Sequence, residues 1–369
     1  MILFLHNRYR TTGGEERAVS DMMWLVREHL SEEAELLERD SAALSRARAA
    51  AGLLAGGLAP DDIAQAVRRT GARIVHAHNL HPELGWRALA AARSAGARVV
   101  MHLHQYRLVC AVGVCFTDGA DCTRCHGRNT LPGVAHNCRG SRAEAVTYAA
   151  SLAAWQRRLA ANVDAFVVPS RFALERLGVL GAPLDETVHV VPHAVREFAA
   201  APAPRDGGYA LMVGRLAAEK GVELAIEACE MASIDLVVAG DGPMRSGLER
   251  AAGRSVRFTG RVDDRELARL RSHAALALAP SRVAESFGLS AAEAMAAGLP
   301  VAAARIGALR ELLPDEWLAP PGDAVALARV IERLRSDASA GAEALARVRA
   351  LSAPDVVAPA LARVYESVR

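Results

Sequence analysis

The sequence predicts an α/β protein with two doubly wound parallel sheets. Short apolar runs alternate with longer segments of helical periodicity, a pattern typical of parallel strands joined by helical crossovers. The alternation stops at the Pro- and Gly-containing segment 199–208 and restarts after it, which predicts a linker between two domains. Aromatic residues make up only 4% of the chain, which favours helices packed on sheets over an all-β shell. A chain of 369 residues is long enough for two domains with sizeable cores.

The first domain is predicted to cover residues 1–198. Its strands are expected at Ile2–Leu5, Arg73–Ala77, Arg98–Leu103, Asp164–Val168 and Val188–Val191. Its helices are expected at Glu15–Leu30, Pro60–Thr70, Glu83–Ala95 and Ser141–Ala161. The first apolar run is too short for a signal peptide, and the Ala-rich segment 47–58 is shorter than the ~20 residues that span a bilayer. We therefore expect a cytoplasmic protein.

The second domain is predicted to cover residues 209–352. Its strands are expected at Tyr209–Val213, Ile234–Ala239, Val256–Thr259, Ala275–Ala279 and Pro300–Ala303. Its helices are expected at Val222–Met231, Met244–Ala252 and Asp263–Ser272, and the chain after Asp323 is expected to be mostly helical. Ligands of doubly wound sheets bind at the carboxyl ends of the strands, so the expected site is a cleft between the two domains.

The overall charge gives no preference for a polyanionic partner. Lys and Arg total 44 against 42 Asp and Glu, which leaves a formal charge of +2 and argues against a nucleic-acid-binding protein. Arg46 and Arg48 lie beside an apolar helix, an arrangement that fits either peripheral membrane contact or a solvated helix face.

Two glutamates, Glu285 and Glu293, frame the stretch E-S-F-G-L-S-A-A-E. The first precedes a Phe-Gly turn that can open a helix, and the second follows about two turns later, so both can face one ligand near a helix N-terminus. A sugar nucleotide suits this pattern, because its hydroxyls donate to carboxylates and its diphosphate favours the N-terminal amides of a helix. The same spacing also fits an amphipathic helix that carries two surface glutamates.

The loops that follow the strands of the second domain carry glycines and charges. They read G-R-L-A-A-E-K-G, G-D-G-P and G-R-V-D-D, and the next loop leads to Glu285. Gly214 permits close approach of a ligand to the backbone, and Arg215 and Lys220 can place two cations on a diphosphate. Each loop alone is typical of an ordinary strand-to-helix connection, but four in succession predict a phosphate-binding edge.

These motifs together resemble one enzyme family. The segments V-G-R-L-A-A-E-K-G, A-G-D-G-P, F-T-G-R-V and E-S-F-G-L-S-A-A-E-A-M-A-A-G-L-P-V are similar to those of retaining glycosyltransferases of family 4, which have the GT-B fold of two Rossmann-like domains facing across a cleft. The likeness covers nearly the whole second domain. It also implies that the last helix, 353–369, returns to the first domain. In the first domain Gly13 and Gly14 resemble the family's glycine loop near the donor phosphates.

The resemblance implies roles for the charged residues of the second domain. Arg215 and Lys220 would neutralise the leaving diphosphate in the place of a divalent metal, so no cofactor is expected for catalysis. Glu285 would hold hydroxyls of the donor sugar, and Glu293 would bind the ribose.

The resemblance also implies donor contacts made by the backbone. The amides of Phe287, Gly288 and Leu289 would contribute at the helix start, and Val262 would contact the nucleobase. UDP, GDP and dTDP sugars all fit this pattern. The hydroxyl acceptor is left open between a small natural product, a polysaccharide intermediate and a lipid-linked sugar.

His104 follows a predicted strand at the position where the family has a histidine near the transferred sugar. In H-L-H the side chains of His102 and His104 project to the same side of a strand, and a core histidine bonded to the backbone is the common alternative. The chain departs from the family before the linker, where His193 and Ala194 replace an Asn-Gly pair, and near the last phosphate loop, where Ala308 follows Gly307.

Five of the six cysteines lie in a predicted insertion of the first domain, residues 105–140: Cys110, Cys115, Cys122, Cys125 and Cys138. The C-x₂-C step of Cys122 and Cys125 suits one metal ion, and the preferred hypothesis is a structural zinc held by these two residues with Cys110 and Cys138. Cys115 is an alternative ligand, as are His126 and His136. A subset of the resembling family carries a similar block. Reduced, packed thiols and an iron-sulfur cluster are the other interpretations.

Two other functions compete with the leading hypothesis of a retaining sugar transferase. One is a sugar-nucleotide epimerase or hydrolase of the same fold, against which the Arg215 and Lys220 pair argues. The other is a zinc-dependent interaction module, but the arginines around the cysteines have no interleaved aromatic platform for nucleic acid.

Overall fold

The computed structural model describes residues 1–10, 13–184, 187–202 and 208–369. The chain divides into two compact units. Unit 1 contains Met1–Thr117, Cys122–Ala194 and Pro354–Arg369, and unit 2 contains Asp118–Asp121 and Val195–Ala353. The chain thus changes unit between Ala194 and Val195, and the predicted linker 199–208 includes residues 203–207, which lie outside the described residues.

Unit 1 is built on a six-stranded parallel sheet with the order β2-β1-β3-β4-β7-β8. The strands of this sheet are β1 Ile2–Arg8, β2 Ala34–Asp40, β3 Ile74–Ala77, β4 Arg98–His102, β7 Ala165–Val168 and β8 Val188–Val190, and a separate hairpin is formed by β5 Phe116–Thr117 and β6 Ala120–Asp121. The chain starts near the middle of the sheet and adds strands on both sides, as expected for a doubly wound fold. Strands β5 and β6 pair only with each other.

Helices connect the strands of unit 1. They are α1 Gly14–His29, α2 Arg46–Ala55, α3 Pro60–Thr70, α4 Gly85–Ser94, α5 Leu131–Ala135, α6 Arg142–Ala160 and α7 Arg171–Val179. Local sequence fixes several starts: the hydroxyl of Ser45 accepts a hydrogen bond from the Arg48 amide, and that of Ser170 accepts one from the Ala173 amide. Pro60 at the first position of α3 is favourable because its missing N–H would have no partner inside the helix.

Unit 2 has a second six-stranded parallel sheet, with the order β11-β10-β9-β12-β13-β14. Its strands are β9 Tyr209–Val213, β10 Asp235–Ala239, β11 Val256–Gly260, β12 Ala274–Ala279, β13 Val301–Ala304 and β14 Leu318–Ala319. Its helices are α8 Val222–Met231, α9 Arg245–Ala251, α10 Asp264–Ser272, α11 Leu289–Ala296, α12 Leu309–Leu312, α13 Ala324–Ser336 and α14 Ala340–Ser352. The predicted fold of two parallel α/β sheets is confirmed.

The last helix, α15 Pro354–Ser367, belongs to unit 1 although it follows unit 2 in the chain. Its residues Val357, Leu361, Val364 and Tyr365 are buried in an apolar cluster with residues of β1 and α1. The helix therefore covers one face of the first sheet and completes its core.

The sequence failed to predict strand β2 and helix α7. Strand β2 lies at the edge of its sheet and reads A-E-L-L-E-R-D, so it has charged side chains where a central strand would be apolar. Among the described residues, the structure contains no helix that is both long and apolar enough to cross a bilayer.

Candidate functional site

Two neighbouring strands of unit 2, β9 and β12, end beside a compact group of polar side chains. Lys220 follows β9, and its Nζ donates a hydrogen bond to Glu285 Oε1 at 2.6 Å. Ser281 follows β12, and its hydroxyl donates to the same oxygen at 2.6 Å. Sequence analysis predicted Lys220 and Glu285 as site residues, and the structure brings them into direct contact; Ser281 was missed.

The group keeps Glu285 ionised. Burial would raise the pKa of this carboxyl, but the charge and hydrogen bond of Lys220, the hydroxyl of Ser281 and the charge of Arg215 together hold its pKa below the usual value. An ionised carboxylate only accepts hydrogen bonds. Glu285 is thus suited to binding hydroxyl groups and unsuited to donating a proton.

Lys220 is the only lysine among the 44 lysine and arginine residues of the chain. A lysine ammonium is a compact point charge, whereas the guanidinium of arginine is a broad planar fork. A chain that uses arginine at every other basic position therefore keeps the compact cation at the one position that contacts Glu285. This compositional signal was available in the sequence and would have singled out Lys220.

Arg215 lies on the same loop and forms an ion pair with Glu219. Its side chain is 49% exposed, whereas that of Glu219 is 11% exposed. The backbone carbonyl of Glu219 also accepts a hydrogen bond from the Arg282 amide at 2.9 Å, which ties the loop after β9 to the loop after β12. The guanidinium of Arg215 thus remains accessible to solvent, and the loop that carries it is hydrogen-bonded to the loop after β12.

Gly307 packs closely against the main chain of Glu285. Its φ is 60°, and a Cβ at this position would lie 2.5 Å from the Glu285 nitrogen and 2.6 Å from the Glu285 oxygen of the main chain. The next residue, Ala308, donates a backbone hydrogen bond to the Glu285 carbonyl at 2.9 Å. Gly307 therefore fixes the backbone that carries the carboxylate.

Helix α11 begins at the predicted Phe-Gly turn. Gly288 caps the helix at φ 95°, a conformation that favours glycine, and a Cβ there would lie 2.7 Å from Leu309 Cδ2. Phe287 is buried and Leu289 is partly buried against the core of unit 2. These contacts hold the start of the helix next to Glu285.

Glu293 lies on α11, and its carboxylate forms an ion pair with Arg271 at 2.5 Å. Both side chains are mostly buried, at 15% and 13% exposure. Glu293 thus already has a partner in the protein. A ribose hydroxyl that bound Glu293 would share this carboxylate with Arg271. Arg271 comes from the end of α10, and nothing in the sequence indicated this pairing.

Two other predicted donor contacts, Gly214 and Val262, follow β9 and β11. A Cβ at Gly214 would have no neighbour within 4 Å, so space for a ligand borders this backbone. Val262 is partly buried and packs against the core. Its side chain is thus occupied, which leaves the backbone as its means of contacting a ligand.

The predicted glycine loop of unit 1 caps helix α1. The Gly13 amide donates to Glu16 Oε2 at 2.7 Å, and the Tyr9 amide donates to Glu16 Oε1 at 3.1 Å. Burial would raise the pKa of Glu16, but a hydrogen bond with His6 and these two amides together hold it below the usual value. A Cβ at Gly14 would have no neighbour within 4 Å. A phosphate at this helix start would have to compete with the Glu16 carboxylate.

Five buried histidines of unit 1 form a stacked column: His76, His78, His102, His104 and His193. The rings of His102 and His104 are 4.2 Å apart and nearly parallel, and a hydrogen bond of 2.7 Å joins His78 Nδ1 to His104 Nε2. The predicted residue His104 is therefore one member of a larger cluster. Sequence analysis missed this cluster because its members follow three separate strands.

Burial keeps the histidine column neutral. It lowers the pKa of His76 to about 3 and that of His193 to about 4. The pKa values of His78, His102 and His104 are lowered by burial and further by neighbouring histidines. Nitrogen lone pairs lie in the ring planes, so parallel stacked rings do not converge on a single metal ion.

The cysteines of the insertion line one small cavity of unit 1. Cys110, Cys115, Cys122, Cys125 and Cys138 contribute to its wall, as does His136, and all five thiols are free of disulfides. A hydrogen bond from Cys115 and nearby backbone amides lower the pKa of Cys110 to about 6, although burial opposes this shift. Burial and the neighbouring thiols raise the pKa of Cys125 to about 11.

Family comparisons match each unit separately. A model described as glycosyl transferase 4-like domain matches residues 17–194, and one described as glycosyl transferases group 1 matches residues 207–337. Both halves of the chain are therefore similar to glycosyltransferase domains. Solved glycosyltransferase structures agree at the level of the fold.

Curated relatives align with part of the chain. A phosphatidyl-myo-inositol mannosyltransferase of Mycobacterium leprae is 31% identical over 58% of this chain and 61% of its own length. A 2-deoxystreptamine glucosyltransferase of Streptomyces kanamyceticus is 36% identical over 53% of this chain and 56% of its own length. The chain thus spans between half and two thirds of the length of these relatives.

Solved structures cover both units. HepE of Anabaena, crystallised in complex with UDP, superposes with a TM-score of 0.64 at 17% identity and full coverage of both chains. A sucrose-phosphate synthase of Thermosynechococcus elongatus superposes with a TM-score of 0.70 at 19% identity, over 99% of this chain and 98% of the other. At this level of identity the likeness establishes the GT-B fold.

Proposed function

We propose that this protein is a retaining glycosyltransferase that moves a sugar from a nucleoside diphosphate sugar to a hydroxyl acceptor. The observation that carries the proposal is the group formed by Lys220, Ser281 and Glu285 at the carboxyl ends of β9 and β12. It combines a cation for a phosphate with a carboxylate, its pKa held below the usual value, for sugar hydroxyls. The similarity of both halves of the chain to glycosyltransferase domains supports the same function.

The leaving group determines the role of the two cations. As the glycosidic bond breaks, negative charge develops on the diphosphate, and the ammonium of Lys220 and the exposed guanidinium of Arg215 stabilise it. In many transferases a divalent metal supplies this charge. We propose that two side-chain cations supply it here, so the chemical step requires no metal.

Glu285 orients the sugar. Its pKa is held low by Lys220 and Ser281, so it accepts hydrogen bonds from donor hydroxyls and transfers no proton. Glu293 binds the ribose hydroxyls by sharing its carboxylate with Arg271. The backbones of Gly214 and Val262 contact the diphosphate and the nucleobase.

Retention follows when the acceptor attacks the face from which the diphosphate leaves. A departing phosphate oxygen then takes the acceptor proton, so no side chain is needed as a base. His104 contacts the transferred sugar as a neutral imidazole, because burial and its histidine neighbours lower its pKa.

The sugars and the nucleotide named for the relatives narrow the proposed class of sugar donor. Those reported above are named as transferases of mannose and of glucose, and HepE binds UDP in its crystal. We infer a hexose donor carried by UDP or GDP. The acceptor is a hydroxyl of a small natural product, a polysaccharide intermediate or a lipid-linked sugar.

A ligand panel tests this function. Melting temperatures are measured with UDP, GDP, dTDP and their glucose and mannose conjugates, because a ligand that binds only the folded protein raises the melting temperature. We expect one nucleotide to give a clear increase, and its sugar conjugate to undergo slow hydrolysis that releases the α-anomer first when followed by proton NMR. Absence of any shift, or first release of the β-anomer from an α-linked donor, would refute the proposal.

A further inference from the structure

We propose that segment 105–140 holds a structural zinc site with Cys110, Cys122, Cys125 and Cys138 as its ligands. The proposal does not depend on the transferase activity. It rests on the shared cavity that the thiols line, on the contacts that distinguish Cys115 from the other four, and on the scarcity of regular structure in the segment.

The four proposed ligands surround one place in the fold. All of them line the same cavity, and Cys125 is close enough to Cys110, Cys122 and Cys138 to interact with each electrostatically. Two of the ligand sulfurs make long side-chain contacts, Cys138 Sγ with Thr117 Oγ1 at 3.6 Å and Cys122 Sγ with Arg124 Nη1 at 3.7 Å. Four such thiols in one cavity suit a tetrahedral zinc site.

Backbone amides surround the Cys110 sulfur. The amides of Val112, Gly113 and Cys115 are all hydrogen-bonding neighbours of this sulfur. Amide donors that point at a ligand sulfur are a common outer layer of metal sites, because they orient the ligand.

Cys115 has a different role from the four proposed ligands. Its side chain is hydrogen-bonded to the Cys110 sulfur, and it is buried at 2% exposure with a left-handed backbone of φ 53°. A thiol that donates to another sulfur keeps its own proton and is not a metal ligand in that state. We therefore assign Cys115 as a hydrogen-bond donor to the site, which selects four ligands from the five cysteines.

The segment has little regular structure beyond its start. Its regular structure is limited to the two-residue strands β5 and β6 and the five-residue helix α5. Its first part packs into the core of unit 1 through Tyr106, Leu108 and Val109, whereas the loop that carries Cys122, Cys125 and Cys138 lies outside that core apart from partly buried Cys125, and all of these thiols are free of disulfides. A zinc ion would close the long loop between Cys110 and Cys138 at one point.

Metal binding would require the thiols to move closer together. Sulfur atoms of a tetrahedral zinc site lie about 3.8 Å apart, given Zn–S bonds of about 2.3 Å. In the described part of the chain, the ligand groups whose atoms all lie within 4.8 Å of one another consist of histidines. The thiols are therefore more widely spaced than in a loaded site and would move inward on the ion.

Both ends of the segment brace other parts of unit 1. Near its start, Gln105 donates to Glu15 at 3.1 Å, and the guanidinium of Arg107 lies 5.2 Å from the centre of the Tyr9 ring. Near its end, Arg139 lies 4.1 Å from the centre of the Tyr148 ring. A zinc ion that fixes the segment would thus also fix Tyr9 and Glu15 beside the start of α1.

The metal content of the full chain tests the proposal. The protein is purified without chelators and without a histidine tag, and its metals are measured by mass spectrometry. We expect about one zinc per chain, less than about a fifth of that in Cys122→Ser and Cys125→Ser, and unchanged zinc in Cys115→Ser and in the matched control Cys229→Ala of unit 2. Less than half an equivalent of zinc in the wild type would overturn the site, as would iron with acid-labile sulfide. Zinc lost from Cys115→Ser but kept by Cys110→Ser would overturn the ligand set.

A spectroscopic measurement on the wild-type chain covers the case in which ligand variants fail to fold. Zinc is replaced by Co²⁺, whose tetrahedral thiolate complexes have intense visible and sulfur charge-transfer bands. We expect these bands in the wild type and in Cys115→Ser alike. A weak spectrum typical of octahedral oxygen ligation would contradict the proposal. Neither readout depends on sugar transfer, so this proposal and the proposed function can fail separately.

Discussion

At the scale of single residues, Lys220 has the most specific environment of the candidate site. Its ammonium lies 2.6 Å from the buried Glu285 carboxylate, which Ser281 also contacts and Gly307 supports through the backbone. The cation therefore cannot be moved or enlarged without disturbing the carboxylate. This coupling makes the site sensitive to changes that would be mild elsewhere.

Substitution of Lys220 should reduce turnover more than donor binding. Removing a group that stabilises developing charge costs about 10²-fold or more in kcat. We expect this loss in Lys220→Ala, and a loss of similar size in Lys220→Arg, because a planar guanidinium does not fit the place of a compact ammonium. Steady-state kinetics with the preferred donor measure it. A Lys220→Ala protein with wild-type kcat and a raised KM would contradict the assigned role.

Substitution of Gly307 should damage both stability and nucleotide binding. Alanine at φ 60° carries a backbone penalty of about 1–2 kcal/mol, and its Cβ would clash with the Glu285 backbone. Gly322 is a matched control, since its φ is 82° but a Cβ there would have no neighbour within 4 Å. We expect Gly322→Ala to lower the melting temperature alone, and Gly307→Ala to lower it further and weaken nucleotide binding in calorimetry. Equal effects of the two variants would show that Gly307 does not support Glu285.

A site residue could be predicted from the sequence when its own loop carries an informative motif. It could not be predicted when its role depends on a partner that is distant in the chain. Lys220 and Glu285 lie in loops whose local motifs are informative, so both were predicted, as were the glycines that open helices. Arg271 could not be predicted as the partner of Glu293, because that pair forms only when the end of α10 packs near α11. Ser281 gave no local signal either.

At the scale of elements, five of the six strands of unit 2 were predicted to within one residue at each end, and the two-residue strand β14 was missed. Strands such as β9 and β10 are nearly fully buried, so their apolar runs begin and end where the strands do. Strand β2 was missed because an edge strand carries charges. The histidine column was missed because its residues lie in or after β3, β4 and β8, which are far apart in the sequence and come together only in the folded unit.

The histidine column should make unit 1 sensitive to acid. Each histidine has a lower pKa in the folded protein than the ordinary 6.5, so the unfolded chain binds more protons as the pH falls below that value. Stability should be constant above about pH 6.5 and should then fall toward pH 4, by ~1.4 kcal/mol per pH unit for each such histidine. Urea unfolding followed by tryptophan fluorescence measures this, and three of the four tryptophans lie in unit 1.

A variant separates titration from packing. His193→Asn removes one titrating group, so the slope of stability against pH below 6.5 should decrease by about one histidine's share. Val191→Ala, at a buried position nearby, should lower stability at every pH and leave the slope unchanged. An unchanged slope in His193→Asn would argue against a neutral, buried His193.

At the scale of the whole molecule, the chain crosses from unit 1 to unit 2 and returns. The return segment, α15, supplies part of the core of unit 1, so the stability of the first unit depends on the last residues of the sequence. Sequence analysis expected this return only by resemblance, since an amphipathic helix does not indicate which sheet it covers. The effects of alanine substitutions on the buried face and on the exposed face of α15 can therefore be compared directly.

Loss of apolar contacts from α15 should destabilise unit 1. Leu361 is fully buried in the cluster that joins α15 to β1 and α1, and truncation of such a residue to alanine costs about 2–5 kcal/mol. Arg363, on the exposed face of the same helix, should tolerate alanine within about 0.5 kcal/mol. Urea unfolding of both variants measures the difference. Similar small effects would indicate that α15 contributes little to this core.

The most direct test of the central claim uses the single lysine. An acylating reagent can modify only Lys220 and the N-terminal amine among the primary amines of the chain, and peptide mass spectrometry quantifies each product. If the donor diphosphate binds against Lys220, a saturating nucleoside diphosphate should slow acylation of Lys220 by about tenfold or more and leave the N-terminal amine unaffected. Unchanged acylation of Lys220, at a nucleotide concentration that raises the melting temperature, would contradict the account.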